Sequence, residues 1–149
     1  ILGSAILTFR TDVERLVFSG DLGRPHDSIM KEPAQIQMAD DLVLESTYGN
    51  RLHTPGDSAK ELGEIIRATA KKGGTVVIPS FAVGRAQTVL HLIYKLKQAK
   101  AIPDIPIYLD SPMAVDATNI MQKHSAEHRL PKDICKDVCG IARYIKTNE

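Results

Sequence analysis

The sequence predicts a layered α/β fold, and three observations lead there. Short apolar runs are bounded by turn residues, longer segments carry apolar residues at helical spacing, and the two kinds alternate after the Pro55-Gly56 breaker. Strand, helix, strand, helix with connections this short calls for parallel strands and right-handed crossovers. At 149 residues and 43% hydrophobic content the chain can build one sizeable core. Two domains fit only if one of them is incomplete.

The elements follow in order. Ala5 to Phe9 and Arg15 to Ser19 read as two strands of a hairpin around the polar turn at Thr11 and Asp12. A loop with Gly23, Pro25 and Pro33 comes next, and Asp41-Leu-Val-Leu-Glu-Ser46 reads as a buried strand. Ser58 and Glu61 form a capping-box signature ahead of Leu62, Ile65, Ile66 and Thr69, and Gly73-Gly74 ends that helix. Thr75-Val-Val-Ile-Pro79 predicts a short buried strand. Val83, Ala86, Leu90 and Ile93 then share one face of a helix over about 83–97. Pro106-Ile-Tyr-Leu-Asp110 repeats the strand, and Ser111-Pro112 supplies an N-cap and a first-turn proline for a helix to about Lys123. Beyond Pro131, Cys135, Val138, Cys139 and Ala142 fit a helix face.

Charge separates the two ends of the chain. Overall, 19 Lys and Arg against 18 Asp and Glu leave a net charge of +1, which makes no general case for nucleic-acid binding. Residues 1–54 hold five basic and eight acidic residues, and residues 55–149 hold fourteen and ten. The first part suits cations and the second tolerates polyanions, although scattered surface charge gives the same numbers. Two cysteines at a spacing of four suit one helical face better than a disulfide scaffold, and no signal-like segment opens the chain, so a cytoplasmic location is expected. No apolar run reaches the roughly 20 residues of a membrane span. Ile1 is not a methionine and the chain opens on a strand-like stretch, which leads us to expect a piece of something larger.

Four stretches carry chemistry. In Ser19-Gly-Asp-Leu-Gly-Arg-Pro25 a strand ends in a glycine-flanked turn that exposes Asp21, a carboxylate able to bridge cations or simply to form the turn. In Glu45-Ser-Thr-Tyr-Gly-Asn-Arg51, with His53 beyond, a strand-end carboxylate can orient an imidazole or cap a neighbouring loop. In Pro79-Ser-Phe-Ala-Val-Gly-Arg-Ala-Gln87 a turn enters a helix whose start bears Ser80 and Arg85, suited to phosphate or to capping and surface roles. Asp110-Ser-Pro-Met-Ala114 builds a similar edge with Ser111. Neither phosphate-loop fingerprint is present, which argues against a nucleotide-binding domain.

Together SGDLGRP, ESTYGNR, GGTVVIPSFAVGRAQ and IPIYLDSPMA, in this order, resemble the β-CASP branch of the metallo-β-lactamase superfamily. That family includes RNA-processing exonucleases, ribonuclease J and the endonuclease subunit of the eukaryotic cleavage and polyadenylation factor. The resemblance covers the chain to about His124, and the tail after His128 adds nothing to it. It implies the end of a first lactamase-like half of an αββα sandwich over residues 1–54, joined to a Rossmann-like β-CASP domain over 55–149, both incomplete.

By the same resemblance Asp21 is a metal-bridging aspartate, and Glu45 is the acidic residue that positions a histidine near the scissile phosphate. Arg51, His53, Ser80, Arg85 and Ser111 are candidate RNA or phosphate contacts. The implied activity is a metal-dependent ribonuclease using hydroxide activated by two zinc ions. Ile1 to Ala5 resembles the segment that follows a zinc-binding histidine, placing that residue just before Ile1, with an HxHxDH motif upstream and two histidines downstream. Zinc sites need about four ligands each and this chain offers one, so by itself it is expected to be metal-free and inactive. The alternative is a non-catalytic β-CASP module that binds RNA or a protein.

RNA is the expected partner. A homodimer is a second, because residues 1–54 should be poorly protected and an orphaned strand edge invites pairing with another chain. Lys71, Lys72, Lys95, Lys97 and Lys100 line a candidate RNA path or a solvated face. A rival zinc site of His124, His128, Cys135 and Cys139 competes with ordinary core and surface roles. His26 and His91 have no assigned role.

Overall fold

The computed structural model describes residues 1–52 and 56–145. Its contacts divide into two units, Ile1–Thr54 with Glu127–Arg129, and Pro55–Ala126 with Leu130–Glu149.

The first unit is built on three strands, β1 (Leu7–Arg10), β2 (Arg15–Phe18) and β3 (Asp41–Val43). β1 and β2 form the expected hairpin, antiparallel with Leu7 opposite Phe18 and Arg10 opposite Arg15. Thr11 closes the turn, its Oγ1 accepting the Glu14 N–H at 2.9 Å. β3 joins β2 in parallel, Leu16 opposite Asp41 and Phe18 opposite Val43. Asp40 sets that register by accepting the Arg15 N–H at 2.7 Å. Val17 is fully buried, while Phe9 and Phe18 meet edge to face at 5.9 Å.

The predicted buried strand over 41–46 is shorter and more open than its sequence suggests. Leu42, Val43 and Leu44 are each at least half exposed. This unit has no α-helix among its described residues, so no apolar layer of its own covers these side chains. Farther along, Arg129 anchors to the 25–32 loop. Its N–H donates to the Ile29 carbonyl at 2.7 Å and its guanidinium to the Pro25 carbonyl and the Glu32 carboxylate, both at 3.0 Å.

The second unit holds α1 (Ser58–Lys71), α2 (Arg85–Gln98), β4 (Ile107–Leu109), α3 (Pro112–Lys123), α4 (Lys132–Gly140) and β5 (Ala142–Tyr144). β4 and β5 pair in parallel with Ile107 opposite Ala142, so this is a mixed α/β unit with α3 and α4 in the crossover. Ile66, Ile93, Leu96 and Ile102 form one core cluster, and Leu90, Val138 and Ala142 another. Ile107 and Ile141 touch both clusters.

Several boundaries differ from the sequence reading. α1 is capped by Asp57, whose Oδ1 accepts the Ala59 and Lys60 N–H groups, and not by Ser58. Gly73-Gly74 does end it, with Gly74 N–H on the Thr69 carbonyl and Gly73 N–H on Ala70. α2 starts at Arg85 with Gly84 as cap, two residues later than expected. Residues 75–79 form no ladder among the described residues, and Val77 is 81% exposed. β4 pairs instead with β5, which lies where Ala142 was expected to extend a helix face. α4 does bury Cys135, Val138 and Cys139 on one face.

Candidate functional site

The turn after β2 is bonded on both sides of Asp21. Ser19 is buried, its N–H donating to the Val43 carbonyl at 3.0 Å and its Oγ accepting the Glu45 N–H at 2.9 Å. Glu45 returns the interaction to the turn, its Oε1 accepting the Leu22 N–H at 3.1 Å. Ser4 Oγ donates to the Asp21 carbonyl at 2.8 Å. The Asp21–Leu22 peptide unit is thereby held at both its carbonyl and its N–H, while Asp21 itself is exposed. Gly20 makes the geometry possible. Its φ is +56°, and a Cβ there would lie 2.5 Å from the Ala5 carbonyl oxygen.

Asp21 and Glu45 line one shallow depression with Phe18, Ser19, Gly20, Val43 and Leu44. The Leu22 N–H holds the Glu45 carboxyl below the usual carboxylate range, helped by the Thr47 hydroxyl and opposed by partial desolvation. Glu45 therefore stays ionised near neutral pH. The Leu22 bond is a cap on a neighbouring loop, one of the two roles open in its sequence.

Beyond Glu45 the chain turns tightly, with Gly49 N–H on the Ser46 carbonyl and Arg51 N–H on the Tyr48 carbonyl. Tyr48 adopts a φ of +58°, and the Arg51 guanidinium lies 6.0 Å from its ring centre. His53 lies outside the described residues.

Ser80, Arg85 and Ser111 belong to the second unit. Ser80 is exposed and does not cap α2, and Arg85 is the first residue of that helix and exposed. Ser111 is the N-cap of α3, its Oγ accepting the Ala114 N–H at 3.2 Å. Among the candidate lysines, Lys97 is committed elsewhere, donating to Asp104 and to the Ile105 carbonyl at 2.8 Å each. Sequence reasoning passed over two polar residues, Ser19 and Gln87, both 3% exposed. A serine closing an apolar strand and a glutamine on a helix's apolar face are the signals that could have drawn attention.

Among the described residues no group of three or more His, Cys, Asp or Glu side chains is arranged to hold a metal ion. Within the second unit, His124, Cys135 and Cys139 therefore do not gather as the rival zinc site requires. Cys135 and Cys139 face the core from α4, and His124 is the exposed C-cap of α3. Asp21 brings one carboxylate, short of the about four ligands a zinc ion takes.

Residues 86–149 match the Beta-Casp domain model, so the tail after His128, which added nothing to the resemblance, lies inside the match. A ribonuclease of Thermus thermophilus is 42% identical over 113 residues, covering 75% of this chain and 26% of that protein. A transcription termination factor of Pyrococcus abyssi is 41% identical over 146 residues, covering 92% of this chain and 22% of its own length. An endoribonuclease of Eremothecium gossypii is 32% identical over 131 residues, covering 83% and 17%. The chain thus spans about a quarter or less of the length of these relatives.

Proposed function

This chain belongs to the β-CASP family of the metallo-β-lactamase superfamily, and from that premise we propose that it is part of a metal-dependent ribonuclease. Residues 1–54 would supply the end of a lactamase-like half of an αββα sandwich, and residues 55–149 the β-CASP domain. The observation that carries the reading is the Glu45 to Leu22 bond, which fixes the turn bearing Asp21. A metal-bridging carboxylate needs a backbone that does not move, because each ligand must hold its place against charge repulsion and solvent.

Zinc is the proposed metal, two ions per site, and when bound it would polarise a phosphodiester and lower the pKa of a coordinated water. The described residues hold too few donors to bind it unaided, so Asp21 is assigned as one ligand of a set completed outside this chain. What the chain's own residues do is hold and orient. Ser19 and Glu45 fix the turn, Gly20 lets it pass the Ala5 carbonyl, and Asp21 stays open to solvent. Arg51, His53, Ser80, Arg85 and Ser111 are proposed contacts to RNA phosphate, for which guanidinium groups and capped helix starts are suited donors. RNA is the substrate, the cytoplasm the location, and a homodimer the proposed assembly, through the open sheet of the first unit.

Cleavage of a labelled single-stranded RNA by the complete polypeptide tests this reading. Asp21→Ala should lower the rate on the order of 100-fold or more while the protein remains folded. Equal, measurable rates for the two proteins would remove Asp21 from the catalytic set, and no cleavage by either would leave a non-catalytic module that binds RNA or a protein.

A further inference from the structure

Gln87 uses every polar atom it has. Its Oε1 accepts the Gly84 N–H at 2.7 Å, and its Nε2 donates to the Ala82 carbonyl at 3.0 Å and to Thr118 Oγ1 at 2.9 Å, with the Ala114 carbonyl at 3.5 Å. Thr118 is 1% exposed and passes its own proton to the Ala114 carbonyl at 2.7 Å. Because Oε1 faces an N–H and Nε2 faces a carbonyl and a hydroxyl already donating elsewhere, only one orientation of the amide satisfies the network. The side chain therefore joins the loop before α2 to the first turns of α3, two segments about thirty residues apart.

The loop so held is strained. Gly84 has φ +83° and ψ −61°, and the Arg85 N–H donates back to the Val83 carbonyl at 3.1 Å. That is a γ-turn of the rare hand, which costs energy even for glycine. Backbone of this kind persists only where its surroundings over-determine it. Here the Gln87 amide grips the residue at the centre of the turn, and the next residue is Arg85. Burial of a fully satisfied amide is not the cheapest way to fill a core, since an apolar side chain in an apolar setting does so with no desolvation cost.

We propose that Gln87 is a positioning residue for Arg85: it ties the 82–84 loop to α3, fixes the strained turn at Gly84, and so fixes the point from which Arg85 reaches an RNA phosphate. This rests on the assignment of Arg85 as a phosphate contact above.

The test measures binding of a fluorescent single-stranded RNA to the complete polypeptide across a salt series, with thermal melting alongside. Arg85→Ala should weaken binding roughly tenfold and flatten the salt dependence by about one phosphate contact. Gln87→Leu should reproduce both losses although Arg85 is still present. The double variant should lose little more than either alone. Thr118→Ser, which keeps the hydroxyl, should bind as the unaltered protein does. If Gln87→Leu does not melt cooperatively, Thr118→Val supplies the same readout, because it removes one partner and leaves the Gly84 and Ala82 bonds. A folded Gln87→Leu or Thr118→Val protein with unaltered affinity and salt slope would overturn the proposal. Unaltered binding by Arg85→Ala would instead overturn the phosphate assignment on which it rests.

Discussion

Glu45 holds the backbone of Leu22, its Oε1 accepting that N–H at 3.1 Å across 23 residues of chain. The bond keeps the Glu45 carboxyl below its ordinary value, with the Thr47 hydroxyl as the second cause. A carboxyl whose folded pKa is depressed stabilises the fold above its unfolded pKa, and the contribution is lost as pH falls through the folded value. The Leu22 amide resonance should therefore move at lower pH than an ordinary glutamate titrates. In Glu45→Gln that acid transition should vanish. A Leu22 resonance that moves above pH 5, or an acid transition unchanged in Glu45→Gln, would contradict the assignment.

Gly20→Ala places a methyl against the Ala5 carbonyl at a positive φ. Left-handed backbone and overpacking together should cost at least about 2 kcal/mol in denaturant unfolding of the first unit. Gly23 also has a positive φ, but a Cβ there meets nothing within 4 Å. Gly23→Ala should therefore be milder. Equal losses at the two positions would show that the Ala5 contact is unimportant.

Lys100 occupies the left-handed position that closes α2, with φ +50°. Ala101 N–H reaches back to the Leu96 carbonyl and Lys100 N–H to Lys97, an arrangement that favours glycine. Lys100→Gly relieves the strain at some cost in unfolded-chain entropy, for a net gain of about 0.5–1 kcal/mol. A lower melting temperature would mean that the lysine side chain contributes more than its backbone strain removes.

How much of this was legible beforehand follows from the range of the interactions. The hairpin, α1, α2 and α3 have signatures in spacing, capping residues and glycine or proline breaks, all within a few residues of each other. β5 and the absent ladder at 75–79 depend on which strand wins β4 as a partner, and no local pattern records that competition. Asp21 was visible because glycines flank it. Ser19 and Gln87 were not, because their partners Glu45 and Thr118 lie 26 and 31 residues away. The open apolar face of β3 shows the same limit, since an apolar run says a residue can be buried and leaves open what would cover it.

Cys135 and Cys139 are buried on α4, and burial pushes both thiols up, Cys139 to about 12 with further help from its neighbour. Raised folded values mean that their contribution is fully present below the unfolded thiol pKa of about 8.5 and is lost as pH rises toward 12. Urea melts should show falling stability across that alkaline window, less so in Cys139→Ala measured from its own baseline. At pH 8 a thiol reagent should label both cysteines slowly in the folded protein and rapidly in urea. Rapid labelling of the native protein would contradict the burial of this helix face.

The central claim is that Asp21 is a metal ligand held in place by its neighbours, and zinc stoichiometry measures it most directly. Elemental analysis of the complete polypeptide, purified without chelator, should find about two zinc ions per chain, and the folded Asp21→Ala protein should retain fewer and release them at lower chelator concentration. The same zinc content and the same chelator resistance in both proteins would contradict the account.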